Sequence, residues 1–423
     1  MLHLIYSLCY RLSLPFALLY LWWQTRRSGG DSQGWRQRLG LVAPTPQPVI
    51  WVHAVSVGET IAAAPLVKAL LERRPDVPVL MTAMTATGAA QARTLFGDRV
   101  LYAYSPFDTP GSVRRFLRRV RPRALVIMET ELWPNMIVET SRRHCPIFLI
   151  NARLSERSAR GYQRIGSWTR TLLGRLDWIA AQAEDDAARF REVGADGNDV
   201  TVTGSIKFDV AITDEVRQRA SVLRDCFGQR PVWIAASTHE GEDEQLLAAH
   251  MRVLEQLPEA LLLLVPRHPD RFDTVATLTQ RRGLSCVRRA SGQPVGDAQV
   301  YLGDTMGELL VMYGAADVAF VGGSLIERGG HNPLEPAAWG IPVVTGPHVF
   351  NFETVYDQLE AGLGLVRVGN ERDLAEQVIR LLATPDQARE TGSYALAVVE
   401  ANRGALNRVV SGILTRLGPA EDV

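Results

Sequence analysis

Residues 49–73 read VIWVHAVSVGETIAAAPLVKALLER. The opening run is apolar without alternation and too short to be a helix of its own. Gly58 follows it, and an Ala/Leu-rich stretch of helical period begins there. A run apolar on both faces marks a strand covered on both faces, and strand-then-helix is the unit of a parallel sheet. The pattern recurs at PVLMTAM (78–84), ALVIMET (124–130), PIFLINA (146–152), WIAAQ (178–182) and VTVTGS (200–205). It restarts at PVWIAAST (231–238), then ALLLLVPRHP (260–269), VYLGDT (300–305), VAFVGGS (318–324) and IPVVTGP (341–347). Stretches 371–382 and 386–417 read as terminal helices. The expected fold class is α/β, with two tandem Rossmann-like, doubly wound domains at 26–208 and 209–423. Polar clusters fall at the carboxyl ends of the runs, where such sheets bind ligands. Several loops aimed at one face suggest an inter-domain cleft.

The composition agrees with a folded protein. The chain has 423 residues, 46% hydrophobic and 22% charged, which excludes a disordered, collagen-like or polytopic membrane chain. Its 46 Lys+Arg balance 46 Asp+Glu, which argues against a nucleic-acid partner. The balance hides a polarity. Residues 1–210 carry 27 − 18 = +9 and residues 211–423 carry 19 − 28 = −9. Two halves of opposite sign suggest different partners. Cys9, Cys145, Cys226 and Cys286 show no metal-ligand spacing and fit a reducing compartment.

Leu2–Trp23 is almost wholly apolar and long enough, at ~33 Å as a helix, to cross a bilayer core. Tyr20, Trp22 and Trp23 close it, and Arg26, Arg27, Arg36 and Arg38 follow, which keeps the rest of the chain cytoplasmic. Arg11 and Pro15 interrupt a clean span. Residues 1–25 are therefore read as a membrane anchor that either spans the bilayer or lies on it. The segment GSVRRFLRRVRPR (111–123) sets six Arg among apolar residues, which suits an anionic lipid surface or a solvated face. Arg153, Arg157, Arg160 and Arg164 align on a second basic face.

Chemistry-bearing residues cluster after the runs. Glu59, near a helix start, is either a first-turn acid or a general base. Glu129 and Glu131 follow the third run, and strand alternation puts them on one side. Lys207 is one of two lysines in the chain and can oppose a developing anion. Ser237–Glu244 opens a helix that its Ser/Thr can cap. Arg267 and His268 match what a nucleotide phosphate needs. In GGSLIERGGHNPLEP, Gly322 and Gly323 allow close backbone approach, and Gly329 and Gly330 form a flexible loop. The helix starting near Pro333 then completes a phosphate cradle. Glu335, a carboxylate, suits ribose hydroxyls instead.

WVHAVSVGE, METELWPN, NARLS, GSIKFD, STHEGEDE, PRHP, DTMGEL and GGHNPLEPAAWG, in this order, resemble the bacterial 3-deoxy-D-manno-octulosonic acid (Kdo) transferases of lipopolysaccharide synthesis. The likeness covers nearly the whole chain. It implies a GT-B glycosyltransferase that moves Kdo from CMP-Kdo to the tetraacylated lipid A precursor, lipid IVA, with inversion and no metal or other cofactor. It carries the proton acceptor onto Glu59 and transition-state stabilisation onto Glu129 and Lys207. CMP contacts fall on Pro266, Arg267, Met306, Gly307, Glu308, Asn332, Pro333, Leu334 and Glu335. The implied location is the inner membrane, with the catalytic domains on the cytoplasmic side. The alternatives are a GT-B enzyme with another nucleotide-sugar donor, and a non-catalytic scaffold for lipid assembly.

Overall fold

A computed structural model describes residues 2–28 and 34–418. The chain divides into two compact units. In the first, β1 (Val49–His53), β2 (Val79–Ala83), β3 (Leu101–Tyr104), β4 (Pro122–Met128), β5 (Ile147–Ala152), β6 (Trp178–Ala181) and β7 (Val200–Val202) form one parallel sheet. Their order is β3-β2-β1-β4-β5-β6-β7. In the second, β8 (Val232–Thr238), β9 (Leu261–Pro266), β10 (Cys286–Arg288), β11 (Val300–Leu302), β12 (Val318–Val321), β13 (Val343–Thr345) and β14 (Leu365–Arg367) do the same. Their order is β10-β11-β9-β8-β12-β13-β14. The order reverses between β1 and β4 in one sheet, and between β8 and β12 in the other. Crossover helices leave opposite faces there and open a crevice at the carboxyl ends.

The expected double winding is what the chain adopts. Central strands such as β1, β5 and β9 are buried along their whole length, which is why they read as unbroken apolar runs. Helices cover both faces of each sheet, as separate cores above and below the strands.

The chain path differs from the tandem arrangement expected at 26–208 and 209–423. The second unit is Phe208–Asn402, and the chain from Arg403 onward returns to the first. The expected helix 386–417 is two, Pro385–Asn402 and Ala405–Leu417, broken at Gly404, whose φ is +87°. The last helix buries Ala405, Val409, Val410 and Ile413 against Leu66, Val67, Leu70 and Trp178 of the first unit. A Cβ on Gly412 would lie 2.3 Å from the Trp178 ring, so only glycine lets the helix approach this closely.

The basic segment also behaves differently from a free cationic face. The helix Pro110–Val120 buries Val113, Phe116, Leu117 and Val120. Arg114 makes a two-pronged pair with buried Glu139 at 2.8 and 2.9 Å. Arg115, Arg119 and Arg121 donate to the carbonyls of Leu39, Val42 and Thr45. These arginines hold down the chain entering β1. Arg38 is likewise buried, donating to the Met84 carbonyl with its guanidinium over the Tyr104 ring. The side chains of Trp22, Arg26 and Arg27 lie outside the described residues.

Candidate active site

In the first unit, the carboxyl ends of β1 and β4 flank the point where strand order reverses. After β1, Ser56 caps the helix Val57–Arg73, accepting from the Glu59 N–H. Glu59 turns back: its carboxylate accepts from the Val55 N–H at 2.8 Å and the Ser56 hydroxyl at 3.1 Å. The first-turn acid and the candidate base are thus one residue. Burial pushes its carboxyl up to about 7. The Val55 and Ser56 bonds pull it back, while the Glu131 and Glu129 charges raise it. A carboxylate tuned near neutrality is what general-base catalysis at pH 7 requires.

Glu129 is not a strand residue. Strand β4 ends at Met128 and Glu129 takes φ +56°, so alternation with Glu131 does not apply. A non-glycine residue in this region is strained, and such strain concentrates at functional positions. Its carboxylate pairs with Lys207 Nζ at 2.9 Å, both side chains partly exposed. Glu131 accepts from Trp133 Nε1 at 2.9 Å, and burial raises its carboxyl. Lys207 sits on a short 3-10 turn, Ile206–Phe208. Asn151, itself at φ +50°, holds that turn by accepting from the Ser205 hydroxyl and the Ile206 N–H, each at 3.2 Å. Asn151 stands in the NARLS motif, but its partners lie more than 50 residues away, and sequence spacing gave no sign of them. Arg153, Arg157, Arg160 and Arg164 are exposed beyond β5, and among the described residues their one side-chain ion pair is Arg160 with Glu156.

In the second unit the glycine-rich stretch does not work as the sequence suggested. The N–H groups of Gly323, Ser324 and Leu325 all point at the buried Glu242 carboxylate, at 2.7, 3.0 and 3.1 Å. An internal carboxylate occupies the cradle expected for phosphate. A Cβ on Gly322 would lie 2.8 Å from the Ala236 and Ser237 carbonyls, so its close approach is to β8. The loop at Gly329 and Gly330 is laced in place. Gly330 N–H donates to Gly323 O, and Asn351 donates to the Gly329 and Arg328 carbonyls. Nor do Ser237 and Thr238 cap the next helix. Thr238 donates to the Asp243 side chain, which also pairs with Arg271.

What remains at the carboxyl ends of β8, β9 and β12 is a cluster of imidazoles beside Arg267. His239 Nε2 lies 2.8 Å from His331 Nε2, and the His268 ring is 5.4 Å from that of His239. Burial holds His239 down to about 4 and His331 down to about 3, with Arg267 and His268 adding to both and Arg328 to His239. Arg267 is partly exposed and makes no side-chain ion pair among the described residues. An anion arriving here meets the Arg267 and Arg328 guanidiniums, with His239 and His331 neutral beside them. The histidine pair was not legible, because 92 residues separate its members. Asn332 accepts from the Leu334 N–H at 3.1 Å and reaches Glu335 at 3.4 Å, so both are oriented at this edge. Pro266 ends β9 beside Arg267, and Pro333 and Leu334 are buried. Met306 is exposed, and Gly307 turns at φ +79°. The Glu308 carboxylate is held by Arg219, Arg289 and Thr305, which draw it down to about 2. It is therefore already neutralised.

Comparison with known proteins shows the family and the fold. Residues 33–210 match the family described as 3-deoxy-D-manno-octulosonic-acid transferase, and residues 287–398 match glycosyl transferases group 1. The chain is 42% identical over 389 residues to the 3-deoxy-D-manno-octulosonic acid transferase of Haemophilus influenzae, covering 90% of this chain and 91% of that one. It is 41% identical to the Bordetella pertussis enzyme of the same name, covering 98% and 99%. Among solved structures, it resembles UDP-GlcNAc 2-epimerase from Neisseria meningitidis with a TM-score of 0.56 at 14% identity. That alignment covers 87% of this chain and all of the other, and the likeness is one of GT-B fold.

Proposed function

The chain belongs to the 3-deoxy-D-manno-octulosonic acid (Kdo) transferase family of glycosyltransferases, and from that premise we propose how its residues carry out the transfer. The donor is CMP-Kdo, and the acceptor is the tetraacylated lipid A precursor, lipid IVA. Glu59 accepts the proton of the acceptor hydroxyl as that oxygen bonds to the anomeric carbon. The bond from that carbon to the CMP phosphate breaks, and CMP leaves with the electron pair. Attack opposite the leaving group inverts the centre.

CMP leaves as a phosphate, so it needs charge neutralisation and no proton donor. Arg267 supplies that, beside the neutral His239 and His331 rings, and no metal is assigned to the step. Pro266, Arg267, Met306, Gly307, Glu308 and Asn332 to Glu335 hold the nucleotide. With the Glu308 carboxylate already paired, the backbone of its turn is the better contact. Glu129 and Lys207 steady the oxocarbenium-like transition state as a matched pair. The exposed arginines after β5 suit the acceptor's phosphates, and the apolar N-terminal helix suits an enzyme kept at the inner membrane, facing the cytoplasm.

The observation that carries this reading is Glu59, poised near neutrality beside the Glu129–Lys207 pair. The test is an in vitro reaction with CMP-Kdo and tetraacylated precursor, read by product mass. A mass gain of one or more Kdo units is expected. Inhibition by UDP as strong as that by CMP would point to a different donor.

A further inference from the structure

Away from the strand ends, the surface with the least ordinary chemistry is the helix Leu2–Ser28. At about 100° per residue, positions 3, 6, 7, 10, 14, 17 and 18 form one stripe, and these are its less exposed side chains. The first half of that stripe is polar, with His3, Tyr6, Ser7 and Tyr10. It is docked on the first unit. The Tyr6 hydroxyl donates to Asp108 Oδ2 at 2.9 Å, and the buried Ser7 hydroxyl to Asn135 Oδ1 at 2.8 Å. Asp108 in turn accepts from the N–H groups of Asn135 and Met136 at the start of the helix Pro134–Ser141.

The opposite stripe is apolar and open. Leu4, Ile5, Leu8, Leu12, Phe16 and Leu19 are between 48% and 74% exposed. Arg11 and Ser13 lie on the two flanks between the stripes. Polar toward the protein and apolar outward reverses the pattern of a soluble helix. Hydrocarbon is the surrounding that matches it, and a flanking arginine matches lipid phosphate.

A perpendicular span does not fit the tethers. With the cationic end in the cytoplasm, Tyr6 and Ser7 would sit about 20 Å deep, toward the far leaflet. Here they are bonded to the folded unit. The chain just past the helix is held by that unit too: Phe107 N–H donates to Arg38 O, and Tyr104 N–H to Gln37 Oε1. Arg11 is also at the midpoint of Leu2–Tyr20, where a span would place it at the bilayer centre.

We propose that this helix lies in the plane of the membrane as a one-leaflet anchor carried on the first unit. Its outward stripe enters the acyl region, and Arg11 sits at phosphate level. The proposal rests on the membrane association advanced above, and the test separates the two. The full chain, with native cysteines replaced, would carry one fluorophore on Leu4→Cys, Leu8→Cys, Leu12→Cys or Leu19→Cys. Each variant would be bound to phosphatidylethanolamine/phosphatidylglycerol vesicles and its depth read with lipid-borne quenchers. Four similar, shallow depths are expected. A depth that passes through the midplane near Leu12, with Leu4 in the far leaflet, overturns the in-plane anchor and leaves membrane association standing. Failure to bind vesicles overturns both, as does a lipid-free dimer that buries this stripe.

Discussion

At the scale of single residues, protonation decides what the site can do. Glu59 acts as a base only when ionised, and its carboxyl is pushed up to about 7. The rate constant kcat/KM should therefore fall as pH drops below ~7, and a flat profile from pH 5.5 to 8 would remove Glu59 from the role. Glu59→Gln keeps an acceptor for Val55 N–H but cannot take a proton, so kcat should fall ~10²–10⁴-fold with CMP affinity retained. His250 makes the complementary case for stability. Its Nδ1 accepts from Trp233 Nε1 and its Nε2 faces the Gln299 carbonyl, which only the neutral ring satisfies. Burial holds it down to about 4. The unfolded chain then binds more protons than the folded one between pH ~6.5 and ~4. The second unit should lose stability as pH falls through that window, by a few kcal/mol from this residue. His250→Gln should flatten that fall in urea unfolding measured at successive pH values.

At the scale of elements, the sequence was most readable where a strand is buried on both faces. The runs of β1, β4, β5, β8 and β9 announce themselves because nothing polar interrupts them. The strands it missed, β3, β10 and β14, are short edge strands with partly exposed side chains, and three or four such residues carry no period. Glu59, Lys207 and Arg267 were legible because each stands in a local motif. The Asn151 tether and the His239–His331 pair were not, since their geometry exists only once distant strands align. The glycine stretch was misread for a related reason. Its composition says that amides are available, and only the fold reveals that Glu242 has taken them. Glu242→Gln should lower stability by ~1–3 kcal/mol, since its amide group would confront backbone donors it cannot accept from. Thermal unfolding would measure this, and an unchanged Tm would mean the loop does not need the charge.

At the scale of the whole molecule, the first unit is built from both ends of the chain and the second is a continuous segment between them. Ending the chain at Asn402 should strip four buried side chains from the first unit's core, a loss of ~6 kcal/mol or more. Calorimetry should then show the first unit's transition lowered or absent. Retention of both transitions would make the last helix an accessory. Synthesis gives the same connectivity a timing. Ribosomes add ~5–20 residues per second, and the helix ending near Leu417 is made 417 − 207 = 210 residues after Lys207. For about 10–40 s the nascent first unit carries an uncovered apolar groove along Leu66, Leu70 and Trp178, and the second unit's sequence, ending at Asn402, is complete before that of the last helix. The later-made unit is thus the first able to finish folding, and a holding chaperone's natural target is the groove that waits for the end of the chain.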